Sequence, residues 1–313
     1  AGRWIFAKRL DESRLAEGRP PLMSELDVIS RPVFISDRGK HYTLVNRAAF
    51  EALAIPMDTT GVRLDESGQP TGRLQDDGNR LAQSRFFSSW TVAQRQDAVR
   101  YTAKLALSRG ITTINAMEGL DSGDEDIPII LDVIPSLPLD MDIYWCTHDL
   151  EKVRELGLPC WGGDILLDGS IGSRTAAFSQ PYSDADTCGY LNLPVDEVRR
   201  IVGEALKNDL AISFHCIGEL AMTQALDAME AALAQYPEKR RSHKLRLEHF
   251  GFPTQADIVR AAEIGVVIST QPAFTYLRGG PGTVYNHRLG DERERGGYPL
   301  RRFLDAGIVL GGG

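Results

Sequence analysis

Two histidines occupy the positions most readily turned to chemistry. His215 closes the apolar run AISFH (Ala211 to His215), and His249 closes LRLEH (Leu245 to His249). Neutral imidazole is the commonest metal ligand, and neighbouring strands lie about 5 Å apart, near enough for two rings to converge on one ion. The alternative is two hydrogen-bonded core histidines. Asp168 opens the segment DGSIGSRT (Asp168 to Thr175), whose glycines let the backbone approach a ligand closely. Its carboxylate could orient a water, bind a metal, hold a substrate amine, or cap the loop through the loop's own amides. Asp164, just upstream, reads as a solvated carboxylate. Glu219 falls in the first turn of a helix, where the macrodipole accounts for a negative charge. Glu248 alternates with His249, so it is expected to face the helices with Arg246 as its ion-pair partner. His41 precedes a helix and is either a group reaching over the site or a surface histidine. His148, His243 and His287 have no comparable placement.

The elements that must carry these residues repeat. From Tyr101 onward, short apolar runs alternate with amphipathic stretches: Ile111 to Ala116, Met141 to Cys146, Ile165 to Leu167, Ala211 to His215, Leu245 to His249, Val266 to Thr270 and Ile308 to Leu310. Each run is apolar enough to be covered on both faces, which predicts a buried parallel sheet. Between them, Val195, Val198, Val202 and Ala205, and then Met222, Leu226, Met229 and Leu233, recur at helical spacing. Gly110, Gly265 and Gly307 each stand between a helix and a strand, where glycine takes the left-handed conformation that ends a helix. No strand is followed by G-x-G-x-x-G, and Gly279-Gly280-Pro281-Gly282 reads as a loop. The fold class predicted is therefore α/β, a (β/α) TIM-type barrel rather than a Rossmann sheet. In a parallel barrel the strand C-termini face the active site, and both histidines sit there.

The first hundred residues are less regular. Pro20-Pro21, Arg31 to Ser36, Gly61 and Gly68 to Gly72 break the chain into short strands and turns, with a helix expected over Leu44 to Leu53. This predicts a small α+β satellite region over 1–80, with the boundary between Arg73 and Thr91, and a barrel portion over 81–313.

Composition narrows the function classes. The chain has 313 residues, 42% hydrophobic and 25% charged, enough for a large core. With 35 basic against 43 acidic residues, a net charge of −8 and no Lys/Arg-rich run, it offers no footprint for nucleic acid or an anionic membrane. No stretch approaches the about 20 apolar residues of a membrane helix, and the start AGRWIFAKRL lacks a signal-peptide segment. Cys146, Cys160, Cys188 and Cys216 show no CxxC spacing, so they are expected to be reduced and the protein cytoplasmic. The chain begins without Met and stops at Leu310-Gly311-Gly312-Gly313, which reads as the excised middle of a longer protein.

Taken together, the segments resemble the amidohydrolase superfamily, and within it the YtcJ-like branch of N-substituted formamide deformylase and AepA-like proteins. The resemblance runs through Trp4-Ile5, Pro32-Val33, His41 with Val45-Asn46, Gly110-Ile111-Thr112, Asp168-Gly169-Ser170, Arg174-Thr175-Ala176 and Pro181-Tyr182. It continues through His215 with Ile217-Gly218, Arg246 with Glu248-His249, and Gln271-Pro272. Order and spacing, rather than any single motif, carry it.

The resemblance implies a metal-dependent hydrolase of amide-type C–N bonds built on a (β/α)8 barrel, in which water activated by a divalent ion, Zn²⁺, attacks a carbonyl. His215 and His249 are the implied metal ligands from strands 5 and 6. Asp168 is the candidate catalytic residue, and His41, Arg174 and Gln271 are the candidates for binding a small-molecule amide or N-formyl substrate. The strand-1 H-x-H pair and strand-8 Asp of the superfamily fall outside the chain, and the lysine that bridges two metals in many relatives is replaced near Asp164. Weak metal binding and little turnover are accordingly expected of the chain as it stands. A non-catalytic binding or regulatory protein of the same ancestry is the alternative, and a phosphate-binding barrel using Gly311 to Gly313 is a third. Phe274, Tyr276, Trp145 and Tyr285 are candidates for lining a pocket for an apolar group. The oligomeric state, a homo-oligomer included, is left open.

Overall fold

The computed structural model describes residues 4–10, 12, 15–37, 42–119, 124–242 and 244–313. The chain divides into two compact units, Ala1–Asp97 and Ala98–Gly313.

In the first unit, β1 (Ile5–Leu10), α1 (Met23–Leu26), β2 (Val33–Asp37), β3 (Tyr42–Val45), α2 (Arg47–Ala52), β4 (Val62–Leu64), β5 (Pro70–Gln75) and α3 (Asp76–Ser88) follow one another. The strands form one sheet in the order β1-β2-β3-β5-β4, parallel between β1 and β2 and antiparallel elsewhere. Period-two burial is clearest in β5, where Pro70, Gly72 and Leu74 are buried and Thr71, Arg73 and Gln75 are half-buried. Phe34, Val45, Phe50, Leu74 and Phe86 build the core, with Phe34 and Phe86 stacked at 4.3 Å between ring centroids. The helix expected over Leu44 to Leu53 begins only at Arg47. Asn46 is its N-cap: Oδ1 accepts from the Val33 and Ala49 amides at 2.9 and 3.0 Å, and Nδ2 donates to the carbonyls of Ile29 and Arg31. That buried amide stops the strand and starts the helix.

Helix α4 (Val92–Leu107) contains the division between the units. The second unit continues with β6 (Thr113–Glu118), α5 (Asp126–Val133), β7 (Asp140–Trp145), α6 (Leu150–Glu155), β8 (Cys160–Leu166), α7 (Val195–Lys207), β9 (Ala211–Cys216) and α8 (Glu219–Gln235). It ends with β10 (Leu245–His249), α9 (Gln255–Ile264), β11 (Val267–Thr270), α10 (Pro272–Arg278), α11 (Val284–Arg295), α12 (Leu300–Asp305) and β12 (Val309–Gly312). The seven strands lie side by side in chain order, all parallel, which gives seven of the eight staves of a TIM-type barrel.

All seven expected strands are present. β6 and β12 are only partly covered, because each is hydrogen-bonded along one side among the described residues. The helical stripes pack as expected: Met222, Leu226, Met229 and Leu233 are all buried, while Val195 alone of the α7 stripe is exposed, at the helix's first residue. Each such side chain contributes about 1.5–3 kcal/mol relative to remaining exposed. Gly110, Gly265 and Gly307 have φ of 79°, 79° and 75°, the left-handed turn expected at each helix-to-strand junction. No cysteine is in a disulfide, and no described helix is long and apolar enough to cross a membrane.

Candidate metal centre

A sheet of parallel strands in sequential order brings all its strand C-termini to one edge. On β9, Ile212, Phe214 and Cys216 pack into the core shared with α7 and α8, which leaves Ser213 and His215 on the opposite face. In register, Glu248 stands beside His215, and His249 beside Cys216. Alternation alone would therefore send His249 toward the helices. Its backbone instead turns left-handed, with φ at 68°, and the imidazole comes 4.5 Å from that of His215 between centroids, the rings inclined at 78°. A left-handed non-glycine residue costs about 1–2 kcal/mol. The next residue anchors it: Phe250 is wholly buried, and its amide donates to the Cys216 carbonyl at 3.1 Å.

Glu248 consequently shares the face of His215 instead of facing the helices. Its Oε1 accepts from Ser213 Oγ at 2.7 Å and Arg246 Nε at 2.6 Å, and Arg246 lies over the Tyr144 ring at 5.0 Å. The expected ion pair exists on the other side of the strand, because counting from His249 fails where His249 leaves the strand geometry.

The sheet adds a third group. Gly162 pairs with Ser213 and Ile165 with Phe214, so Gly163 and Asp164 have no opposing residues and form a bulge in β8. Both glycines are left-handed, and a Cβ at Gly162 would stand 2.3 Å from the Ser213 carbonyl oxygen. The bulge turns Asp164 toward the histidines: ligand atoms of Asp164, His215 and His249 all lie within 4.8 Å of one another. Two glycines inside an apolar run were the signal for this bulge, and therefore for Asp164.

These donors fit a divalent ion. Tetrahedral ligands about 2.1 Å from one metal stand about 3.4 Å apart, so donors already within 4.8 Å of one another need only a modest contraction to share an ion. Burial and the neighbouring His215 hold His249 below its ordinary pKa, which keeps the ring neutral and able to ligate. Gln271 Oε1 contacts His249 Nδ1; an amide oxygen only accepts, so the proton sits on Nδ1 and Nε2 keeps its lone pair. His215 Nδ1, buried and without a hydrogen-bond partner among the described residues, faces Asp168 Oδ1 at 3.5 Å.

Asp168 is fully buried. It accepts from the amides of Ala177, Ile217 and Gly218 at 2.9, 3.0 and 2.8 Å, tying the loop after β8 to the start of α8 behind His215. Arg174 is committed elsewhere: Nε and Nη2 each donate to Asp184 at 2.9 Å. That pair, with Arg288 beside it, holds the Asp184 carboxyl down to about 2. Glu219 opens α8 and accepts from the Ser179 amide. His41 and His243 lie outside the described residues. Among the aromatic candidates, Phe274 stacks on His249 at 5.8 Å and Tyr285 is buried near it. Trp145 instead packs in the main core, and Tyr276 is 88% exposed.

An all-parallel barrel sheet with a histidine-carboxylate cluster at the strand C-termini is the layout of a metal-dependent barrel hydrolase. The chain belongs to the amidohydrolase family, whose description matches residues 1–313. It is similar to an uncharacterized metal-dependent hydrolase from Pyrococcus furiosus, with 28% identity and a TM-score of 0.78 over 100% of this chain and 64% of that one. A second uncharacterized metal-dependent hydrolase, from Pyrococcus horikoshii OT3, gives 24% identity and a TM-score of 0.76 over 100% and 62%. Among curated proteins, YtcJ of Bacillus subtilis (strain 168) is 25% identical over 99% of this chain and 60% of its own length. Protein LONG AFTER FAR-RED 3 of Arabidopsis thaliana is 25% identical over 94% and 54%. The chain thus spans little more than half the length of these curated relatives.

Proposed function

We propose that this chain contributes the metal centre of a hydrolase that cleaves amide-type C–N bonds of small molecules, in the YtcJ-like branch of its family. The observation that carries this reading is the convergence of Asp164, His215 and His249 donor atoms at the C-terminal edge of the sheet. Two imidazoles and a carboxylate suit zinc better than calcium or magnesium, which favour all-oxygen sites. When bound, the ion would supply Lewis acidity toward a substrate carbonyl and toward water.

The chain's own residues hold that centre in place. Gln271 fixes the tautomer and rotation of His249, and Asp168 lies behind His215 while bracing the segment that follows it. In this reading Asp168 acts on the reaction through His215, and Gln271 through His249. Arg174 shapes the loop that begins at Asp168 through its pair with Asp184. Phe274, half-buried against His249, offers an apolar wall to the substrate. Four cysteines outside any disulfide support a cytoplasmic setting.

Metal analysis with calorimetric Zn²⁺ titration tests the assignment, alongside an amide and N-formyl substrate panel. Two imidazoles alone predict weak metal binding; with Asp164 as a third donor, one equivalent of zinc is expected per chain, with affinity falling at least about tenfold in each of Asp164→Ala, His215→Ala and His249→Ala. Equimolar metal retained after both histidine substitutions would sink the reading.

A further inference from the structure

We infer that the wall of this site beyond His249 is an anion-binding subsite, where Arg278 with the hydroxyls of Tyr285 and Tyr298 holds a substrate carboxylate. The inference rests on the proposed hydrolase reading and narrows its substrates to amides that also carry a carboxylate beside an apolar or aromatic portion.

Helix α10 sets the geometry. Phe274 and Arg278 are four residues apart and share one face of the helix. Phe274 touches three groups at once: it stacks on His249 at 5.8 Å and 19°, meets Tyr298 edge-on at 5.9 Å, and has the Arg278 guanidinium carbon 4.8 Å from its centroid. Arg278 is thus one aromatic ring away from the candidate metal ligands. Arg174, Arg246 and Arg288 each face a carboxylate, whereas Arg278 forms no ion pair among the described residues.

The two tyrosines supply the second, independent observation. Their rings lie parallel, 8° apart with centroids at 6.4 Å, and they are 4% and 5% exposed. The positive charge of Arg278 acts on both phenols. The Tyr298 hydroxyl is buried and, among the described residues, meets no partner at good hydrogen-bond geometry, with the Tyr285 phenol as its polar neighbour. It points to where the chain leaves β9 and β10: a Cβ on Gly251 would come 3.1 Å from that hydroxyl and 3.2 Å from the Ile217 carbonyl oxygen. A buried donor left without an acceptor is costly, and a ligand oxygen removes that cost. A guanidinium supplies the planar pair of donors that matches a carboxylate.

Calorimetric titration of the chain with 3-phenylpropanoate and its neutral isostere 3-phenylpropanamide tests this without turnover. The carboxylate is expected to bind about tenfold or more tightly than the amide, a charge-assisted contact's worth of affinity. In Arg278→Met the two should bind alike, with the amide changed by less than about twofold, since only the charged contact is removed. Tyr298→Phe, which deletes only that hydroxyl, should weaken the carboxylate several-fold and leave the circular dichroism spectrum unchanged. Equal binding of the two ligands, binding of neither, or a preference that survives Arg278→Met would overturn the inference. Failure of the hydrolase reading registers separately, as absent metal uptake.

Discussion

Glu118 ends β6 largely withdrawn from water, and burial, reinforced by Asp126, pushes its carboxyl up to about 7. Folding therefore favours the protonated form. The contribution to stability is complete below the unfolded value near 4.5 and is lost as pH rises through about 7. Glu118→Gln is expected to match the parent near pH 4 and to exceed it by about 2 kcal/mol at pH 8, after allowing for partial exposure. Urea unfolding at both pH values decides this; equal pH slopes for the two proteins would contradict it. Gln271 makes a different claim at the same scale, because it touches a candidate ligand. Gln271→Ala should lower zinc affinity about 10- to 100-fold with little change in stability, as removal of a group orienting a metal-binding imidazole does. Matched calorimetry and thermal melts separate the two effects.

At the scale of elements, the β8 bulge and the Asn46 cap show how short stretches decide geometry. Gly162→Ala places a Cβ against the Ser213 carbonyl in a backbone with φ of 85°, so a loss of about 2 kcal/mol or more is expected together with weakened zinc binding. Asp164→Asn should weaken zinc binding and leave the unfolding midpoint nearly unchanged. If Gly162→Ala bound zinc as tightly as the parent, the bulge would not be what aims Asp164. Asn46→Ala removes four hydrogen bonds and strands buried partners, and about 2–4 kcal/mol is expected in chemical denaturation followed by circular dichroism.

At the scale of the whole molecule, each unit has a core of its own: among the described residues, the cluster around Phe86 and the cluster around Leu226 have no member in common. Phe86→Ala and Leu226→Ala are each expected to cost about 2–5 kcal/mol in their own unit, and the double variant to add within about 0.5 kcal/mol. Proteolysis followed by mass spectrometry assigns each loss to its unit, and strong non-additivity would show that the cores are coupled.

Much of this architecture was legible in order along the chain, because helix stripes, strand runs and helix-ending glycines are local patterns set by periodicity and backbone sterics. All seven barrel strands, the α8 stripe and the three left-handed glycines were readable that way, as was the prospect of His215 and His249 meeting. Local pattern could not decide which face a strand-end residue takes, since that depends on the partner's register and on backbone reversals. His249 reaches the site only through its left-handed turn, Glu248 sits beside His215 only through the β9–β10 pairing, and Asp164 arrives only because two unopposed residues bulge from β8. Sequence by itself determined that two imidazoles would stand at one end of a parallel sheet. Tertiary structure alone decided which carboxylate joins them, because a ligand set is made by side chains converging in space and spacing along one strand does not record its neighbours' registers.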